Sequence, residues 1–131
     1  MKNRKGFTLL ELVVVVIILG ILATLGFTQY TKMVEKGRTA EAKMILGQVR
    51  TAQAAYNQQF GGYTTDIASL SVEVPTACGA SGNHYFSYAV SATTGTAVRC
   101  TVNGKGPVGA TAYTLTLTYG TGTFGGSAGY Y

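Results

Sequence analysis

Hydrophobic residues are concentrated in one continuous segment near the start of the chain, residues 7–27, which reads FTLLELVVVVIILGILATLGF. It has 21 residues and one charge, on Glu11. As a helix it would span about 30 Å, which is the thickness of the hydrocarbon core of a bilayer. A domain built from about a hundred other residues can hardly surround a helix that is apolar on every side. The segment is therefore predicted to span a membrane, with a buried core helix as the minor alternative.

Helix-compatible sequence continues after this segment, because residues 31–60 contain no proline and many alanines, glutamines and lysines. An apolar stripe at helical spacing is predicted to lie against a sheet, and it consists of Ile45, Val49, Ala52 and Tyr56. The side chains expected to point to water are Lys36, Lys43, Gln48 and Arg50. Glu35 and Arg38 are expected to pair along the helix, on a solvated face or at a contact with another subunit. Gly61 and Gly62 predict the end of the helix.

The remaining residues predict a small head. Turn-forming residues predominate from 63 to 83, where Asp66 is positioned to cap a short helical turn. Three strand-like runs follow, at residues 85–90, 97–102 and 113–119. In the third, large apolar residues alternate with threonines, which is typical of a strand with one buried face. The predicted fold class is α+β, with a long N-terminal helix packed on a small antiparallel β-sheet.

Charged residues make up 11% of the chain, and the formal net charge is +5. Lys2, Arg4 and Lys5 supply three of these charges and precede the apolar segment. The positive-inside bias then keeps this end in the cytoplasm and puts the head on the other side of the membrane. The other residues carry only +2, so direct nucleic-acid binding is a weak alternative.

The tail from 120 to 131 is rich in glycine and contains Phe124. We expect it to form an edge or loop packed on the head. The alternative is a set of exposed aromatic residues that bind a surface, a glycan or single-stranded DNA, to which Arg99 and Lys105 would add charge.

The only two cysteines are Cys78 and Cys100. The predicted topology places them outside the cytoplasm, where disulfides persist, so they are predicted to pair. Two free buried thiols are the alternative.

Glu11 is unusual, because a carboxylate near the bilayer interior costs about 2.5 to 3.5 kcal/mol and requires a partner. The stretch Lys5-Gly6-Phe7-Thr8-Leu9-Leu10-Glu11, followed by an apolar run, resembles the N-terminal signature of type IV prepilins and of type II secretion pseudopilins. The resemblance covers residues 1–30. It implies the same fold class that the residue patterns predict.

The resemblance implies four segments: a cleaved basic leader at 1–6, a filament-core helix at 7–30, its amphipathic continuation at 31–60, and a globular head at 61–131. Prepilin peptidase would cut between Gly6 and Phe7 and methylate the new Phe7 amine, with S-adenosylmethionine as methyl donor. Glu11 would pair with the Phe7 amine of a neighbouring subunit. Many members carry proline where this chain has Thr28, so any local melting of the helix would rely on Gly20, Gly26 and Thr28.

The implied function is that of a structural subunit of a type IV pilus, used for adhesion, surface motility or DNA uptake. The implied partners are further copies of the chain in a helical filament, prepilin peptidase, an inner-membrane platform protein and an assembly ATPase. The precursor would cross the bacterial inner membrane once before it enters an extracellular pilus. The alternative is a pseudopilin. Few carboxylates follow Glu41, which argues against the acidic calcium loop of major pseudopilins, and the two cysteines also favour a pilin.

No enzymatic motif is present in the sequence. His84 is the only histidine and is expected to form a hydrogen bond where the loop meets the first strand. Neither a catalytic triad nor a Walker-type phosphate loop is apparent. The chain is therefore not expected to be an enzyme or to hold a metal or cofactor.

Overall fold

The computed structural model describes residues 6–79, 84–102, 106, 112–127 and 129. Helix α1 spans Leu9–Phe60, and a short 3-10 helix spans Ile67–Ser69. The strands are β1 (Phe86–Val90), β2 (Thr94–Arg99), β3 (Thr114–Thr118) and β4 (Phe124–Gly126). The predicted α+β fold class is confirmed. The chain divides into two compact units, Met1–Val34 and Glu35–Tyr131.

The described part of the first unit consists of the residues before α1 and the first half of that helix. Every residue from 6 to 27 is exposed. By length and composition, α1 is the one helix in the described part of the chain that is suited to cross a membrane. None of its most apolar stretch of 18 residues is buried within the protein. The helix begins at Leu9, two residues later than predicted.

The globular unit packs the second half of α1 against a four-stranded sheet. Strand order follows chain order, β1-β2-β3-β4, and every neighbouring pair is antiparallel. Large apolar residues from one face of the sheet form the core with Ala42 and Leu46 of α1. Those from the strands are Phe86, Tyr88, Leu115 and Leu117.

The buried side of α1 differs from the predicted stripe. The fully covered helix residues in this region are Ala42, Leu46, Val49 and Gln53, whereas Ile45, Ala52 and Tyr56 are only partly buried. Gln53 is polar, so the pattern of apolar residues does not predict that this side of the helix is buried. Its amide is satisfied by the backbone of Thr64, which accepts from Gln53 Nε2 at 2.7 Å and donates to Oε1 at 3.0 Å.

Two of the four side chains predicted to point to water do so, since Lys36 and Gln48 are exposed. The prediction is wrong for Arg50, whose Nε donates to the Tyr119 carbonyl at 2.8 Å. Lys43 is also partly buried, with Nζ 5.5 Å from the centre of the Phe124 ring. Arg50 therefore lies against the turn that follows β3, and Lys43 lies near Phe124 of β4.

The observed strand boundaries agree best with the predicted ones where apolar and polar residues alternate. Strands β1 and β3 lie within their predicted ranges, whereas β2 begins at Thr94 and not at residue 97. Its early start follows from a tight turn in which Ser91 Oγ accepts hydrogen bonds from the Thr93 and Thr94 amides. The short strand β4 forms the predicted packed edge of the tail. Gly126 in this strand has a φ of +133°, and a Cβ there would collide with the Thr114 carbonyl.

The predicted cap and helix end are confirmed. Asp66 accepts a hydrogen bond from the Ala68 amide at 3.0 Å and so caps the 3-10 helix. Gly61 follows the last residue of α1 with a φ of +76°, which is the left-handed conformation that glycine adopts at helix ends.

Candidate functional site

The N-terminal end of α1 is closed by two reciprocal hydrogen-bonding residues, Thr8 and Glu11. The Thr8 amide and hydroxyl both donate to Glu11 Oε2, at 2.9 and 2.8 Å. In return, the Glu11 amide donates to Thr8 Oγ1 at 3.2 Å. This arrangement is a capping box, in which the residue before the helix and its third residue satisfy each other's amides. It fixes the start of the helix at Leu9.

The capping box was not foreseen, although its signature, threonine followed three residues later by glutamate, is present in the sequence. The carboxylate in an apolar run led to a prediction of a partner on another chain. In the structure Glu11 is bonded to Thr8 of its own chain, and the pairing with another chain stays a prediction. Both bonds from Thr8 reach the same oxygen, and Oε1 has no hydrogen-bond partner among the described residues.

Gly6 and Phe7 precede the helix and are exposed, and the Phe7 side chain is 88% exposed. The peptide bond predicted to be cut therefore lies outside helical structure. The leader charges Lys2, Arg4 and Lys5 lie outside the described residues.

The globular unit contains a second polar cluster. Its centre is Glu35, the first residue of the part of α1 that belongs to this unit. Arg99 Nε donates to Glu35 Oε1 at 2.6 Å, and the Tyr113 hydroxyl donates to the same oxygen at 2.6 Å. The predicted pair with Arg38 is also present, at 3.2 Å to Oε2. Glu35 is 7% exposed and Arg99 1% exposed.

These burials correct two predictions. Glu35 does not lie on a solvated face, because the sheet covers it. Arg99 points into the core and so contributes no charge to an exposed aromatic tail, while Lys105 lies outside the described residues. The Arg99 guanidinium makes further hydrogen bonds, since its Nη1 also donates to the Tyr85 and Cys100 carbonyls. Sequence periodicity missed this ion pair because its members are 64 positions apart.

Burial and hydrogen bonding act in opposite directions on the pKa of Glu35. Desolvation raises it, but the bonds from Arg99 and Tyr113 and the nearby guanidinium charges outweigh that penalty, so the pKa lies below its usual range. The pKa of Tyr113 is raised, first by burial and then by its bond to the Glu35 carboxylate. The cluster is therefore most stable with an ionised glutamate and a neutral tyrosine.

The predicted disulfide between Cys78 and Cys100 is formed. Cys100 directly follows Arg99, so the covalent link and the buried ion pair hold the same end of β2.

His84 Nε2 donates to the Ala77 carbonyl at 2.9 Å, which agrees with the hydrogen bond predicted where the loop meets the first strand. Among the described residues, no group of three or more His, Cys, Asp or Glu side chains is placed to hold a metal ion.

Comparison with known proteins gives one family match and several relatives. Residues 1–27 match the family described as the prokaryotic N-terminal methylation motif. The chain is 43% identical over 49 residues to the type IV major fimbrial protein FimA of Dichelobacter nodosus. These 49 residues are 37% of this chain and 31% of FimA. It is 36% identical over 93 residues to the type IV major pilin protein PilA of Myxococcus xanthus, covering 71% of this chain and 40% of PilA.

A third relative is the fimbrial protein EcpC of Eikenella corrodens, which is 33% identical over 69 residues, or 53% of this chain and 45% of EcpC. The chain thus spans less than half of the length of each of these relatives. The family motif and the named pilins support the assignment of this chain to the type IV pilin family, as the N-terminal residues predicted.

Proposed function

We propose that this chain is a structural subunit of a type IV pilus filament and polymerises through the first half of α1. The observation that carries the proposal is the exposure of every residue from 6 to 27. Continuous apolar surface of this extent is stable only against lipid or protein. In the precursor the bilayer would cover it, and in the filament the same helix of other copies would do so.

Processing would precede assembly. Prepilin peptidase would cut between Gly6 and Phe7 and then methylate the Phe7 amine. The exposure of both residues and their position before the helix support this, because a peptidase needs an accessible, non-helical bond. The platform protein and ATPase would supply the scaffold and the force, since the sequence has no phosphate-binding loop. The basic leader supports an orientation with the head outside the cytoplasm.

Glu11 would guide each subunit to its place by pairing with the Phe7 amine of a neighbour. The geometry supports this, because the capping bonds occupy Oε2 and leave Oε1 open to a further donor. A single carboxylate could then close its own helix and accept an amine from another copy. In a medium of low dielectric, that attraction offsets much of the cost of removing both charges from water.

Two substitutions of Glu11 separate its capping role from its charge. Glu11→Gln keeps a capping-box residue, because glutamine serves at this position, but it removes the charge. Glu11→Ala removes both. We expect both variants to insert in the membrane and neither to form filaments, as judged by electron microscopy of cells that carry the assembly machinery. Normal filaments from Glu11→Gln would show that the charge is dispensable and would defeat the pairing.

Processing is tested by Gly6→Phe, which should leave an uncut precursor, visible by mass spectrometry of the membrane fraction.

Deletion of the chain distinguishes a pilin from a pseudopilin. Loss of long surface filaments is expected for a pilin, whereas loss of protein secretion with filaments intact would contradict the proposal.

A further inference from the structure

The sheet has two faces, and on the one that points away from the second half of α1 none of the strand residues is charged. Burial alternates along β2 and β3, so that every second residue faces outward. These outward residues are mainly threonines, namely Thr94, Thr96, Thr114, Thr116 and Thr118. All five are partly exposed. Serine, alanine, valine and glycine complete the face on the same strands and on β1 and β4.

The strand register gathers the threonines into one patch, the threonine face. Thr96 lies opposite Thr116, and Thr94 lies opposite Thr118. On the other side of Thr116 lies Gly125, where a Cβ would come within 3.1 Å of the Thr116 hydroxyl. Glycine at this position therefore leaves that hydroxyl uncrowded. The hydroxyls of Thr96 and Thr116 have no hydrogen-bond partner among the described residues.

An exposed sheet face without charge lacks the usual protection against association, because like charges normally keep such surfaces apart. A threonine hydroxyl donates one hydrogen bond and accepts two, so a surface of threonines can satisfy an identical surface. Contacts between equivalent patches need this self-complementarity. None of the strand residues that form this face is charged, so two copies can meet there without repulsion between those side chains.

We propose that the threonine face joins filaments side by side, each face packing against the same face of a subunit in the next filament. This inference rests on the proposed filament. Within the globular unit, the face lies on the opposite side of the sheet from the second half of α1.

The size of the face explains why filaments are needed. Strand spacing and rise give it a footprint of about 300 Å². A stable interface buries about 800 Å² per partner, so one pair of faces binds only weakly. A filament presents the same face many times, and each contact makes the next one intramolecular. Heads alone should therefore stay monomeric while filaments form bundles.

The test compares purified filaments of the wild type, of Thr96→Lys/Thr116→Lys, and of Thr65→Lys. Thr65 is an exposed loop threonine and makes Thr65→Lys a matched control. Bundles are scored by electron microscopy and by pelleting at low speed, near 0.15 M salt. We expect bundles from the wild type and the control, and single filaments from the double variant. At about 1 M salt, where the screening length falls to about 3 Å, the double variant should bundle again.

A mixing experiment tests recognition between equivalent faces. Filaments of Thr96→Glu/Thr116→Glu should stay single alone, and they should form mixed bundles with the lysine filaments. If a double variant yields no filaments, Thr116→Lys and Thr116→Glu carry the same comparison.

The outcomes separate this inference from the proposed function. Wild-type filaments that remain single, or lysine filaments that bundle as the wild type does, would overturn the threonine face as a contact and leave the pilin proposal intact. Single wild-type filaments that pellet only with an added glycan would overturn it too, since the partner would then be different. Absence of wild-type filaments would overturn both proposals.

Discussion

The two units of this chain treat apolar and charged residues in opposite ways. In the first, large apolar side chains are open to the surroundings, as in Leu19 at 58% exposure. In the second, a carboxylate and a guanidinium are buried, at Glu35 and Arg99. The globular unit pairs these two buried charges with each other, whereas the large apolar side chains of the first unit are exposed. The difference predicts that the globular unit is stable by itself and that the first unit depends on its surroundings.

Arg99→Met breaks this comparison most strongly, because it leaves Glu35 buried without its main cation. We expect the free energy of unfolding to fall by about 3 to 5 kcal/mol. Urea unfolding of the chain in detergent, followed by tyrosine near-UV signal, measures it. The control is Glu35→Leu/Arg99→Met, which removes both charges and should recover much of the loss. Equal destabilisation of the two variants would show that the ion pair is not the cause.

A matched pair of leucines compares the two units directly. Leu46 is 1% exposed, and Leu46→Ala should cost about 2 to 5 kcal/mol in the same unfolding assay because it opens a cavity in the core. Leu19→Ala should change the stability of the globular unit by less than about 0.5 kcal/mol. A similar loss from both variants would contradict the division into an independent and a dependent unit.

The disulfide adds covalent support to the globular unit alone. Replacing both Cys78 and Cys100 by serine should lower the free energy of unfolding by roughly 3 kcal/mol, since the bridge closes a loop of 22 residues in the unfolded chain. The same assay without reductant measures the loss. An unchanged midpoint would show that the ion pair beside the bridge is sufficient to hold this end of β2.

The ion pair should also make the globular unit sensitive to acid. The pKa of Glu35 is lower in the folded protein than its unfolded value of about 4.3. Its contribution is therefore present above that pH and is lost as the pH falls through the folded pKa. Unfolding midpoints between about pH 6 and pH 2 should fall more steeply for the wild type than for Glu35→Gln. Parallel curves would exclude Glu35 as the source.

The smallest expected effect concerns the capping box. Thr8→Val removes the hydroxyl that caps α1 and should weaken the first turn by about 1 kcal/mol. Thr8→Ser keeps the hydroxyl and is the control. Hydrogen exchange of the Glu11 amide in micelles should be faster in Thr8→Val and unchanged in Thr8→Ser. Equal protection in all three proteins would mean that the surroundings, and not Thr8, order the first turn.

Local patterns in the sequence determined most of the elements. The apolar run, the helix end at Gly61, the cap at Asp66 and the alternation of leucine with threonine in β3 each arise from interactions between residues close in sequence. The N-terminal motif likewise indicated the family from residues 1–30. Thr8 and Glu11 form an equally local motif and could have been recognised from their spacing of three.

Only the tertiary structure decided which polar residues lie inside. Gln53 and Arg99 are buried because distant backbone and side-chain groups satisfy them, and no local pattern records which groups those are. The register that sets Thr96 beside Thr116 is also a property of the sheet, since strand pairing joins residues far apart in the chain. The sequence by itself determined where the apolar helix lies, because that pattern is local, while the pairing of distant strands decided which side chains the globular unit exposes.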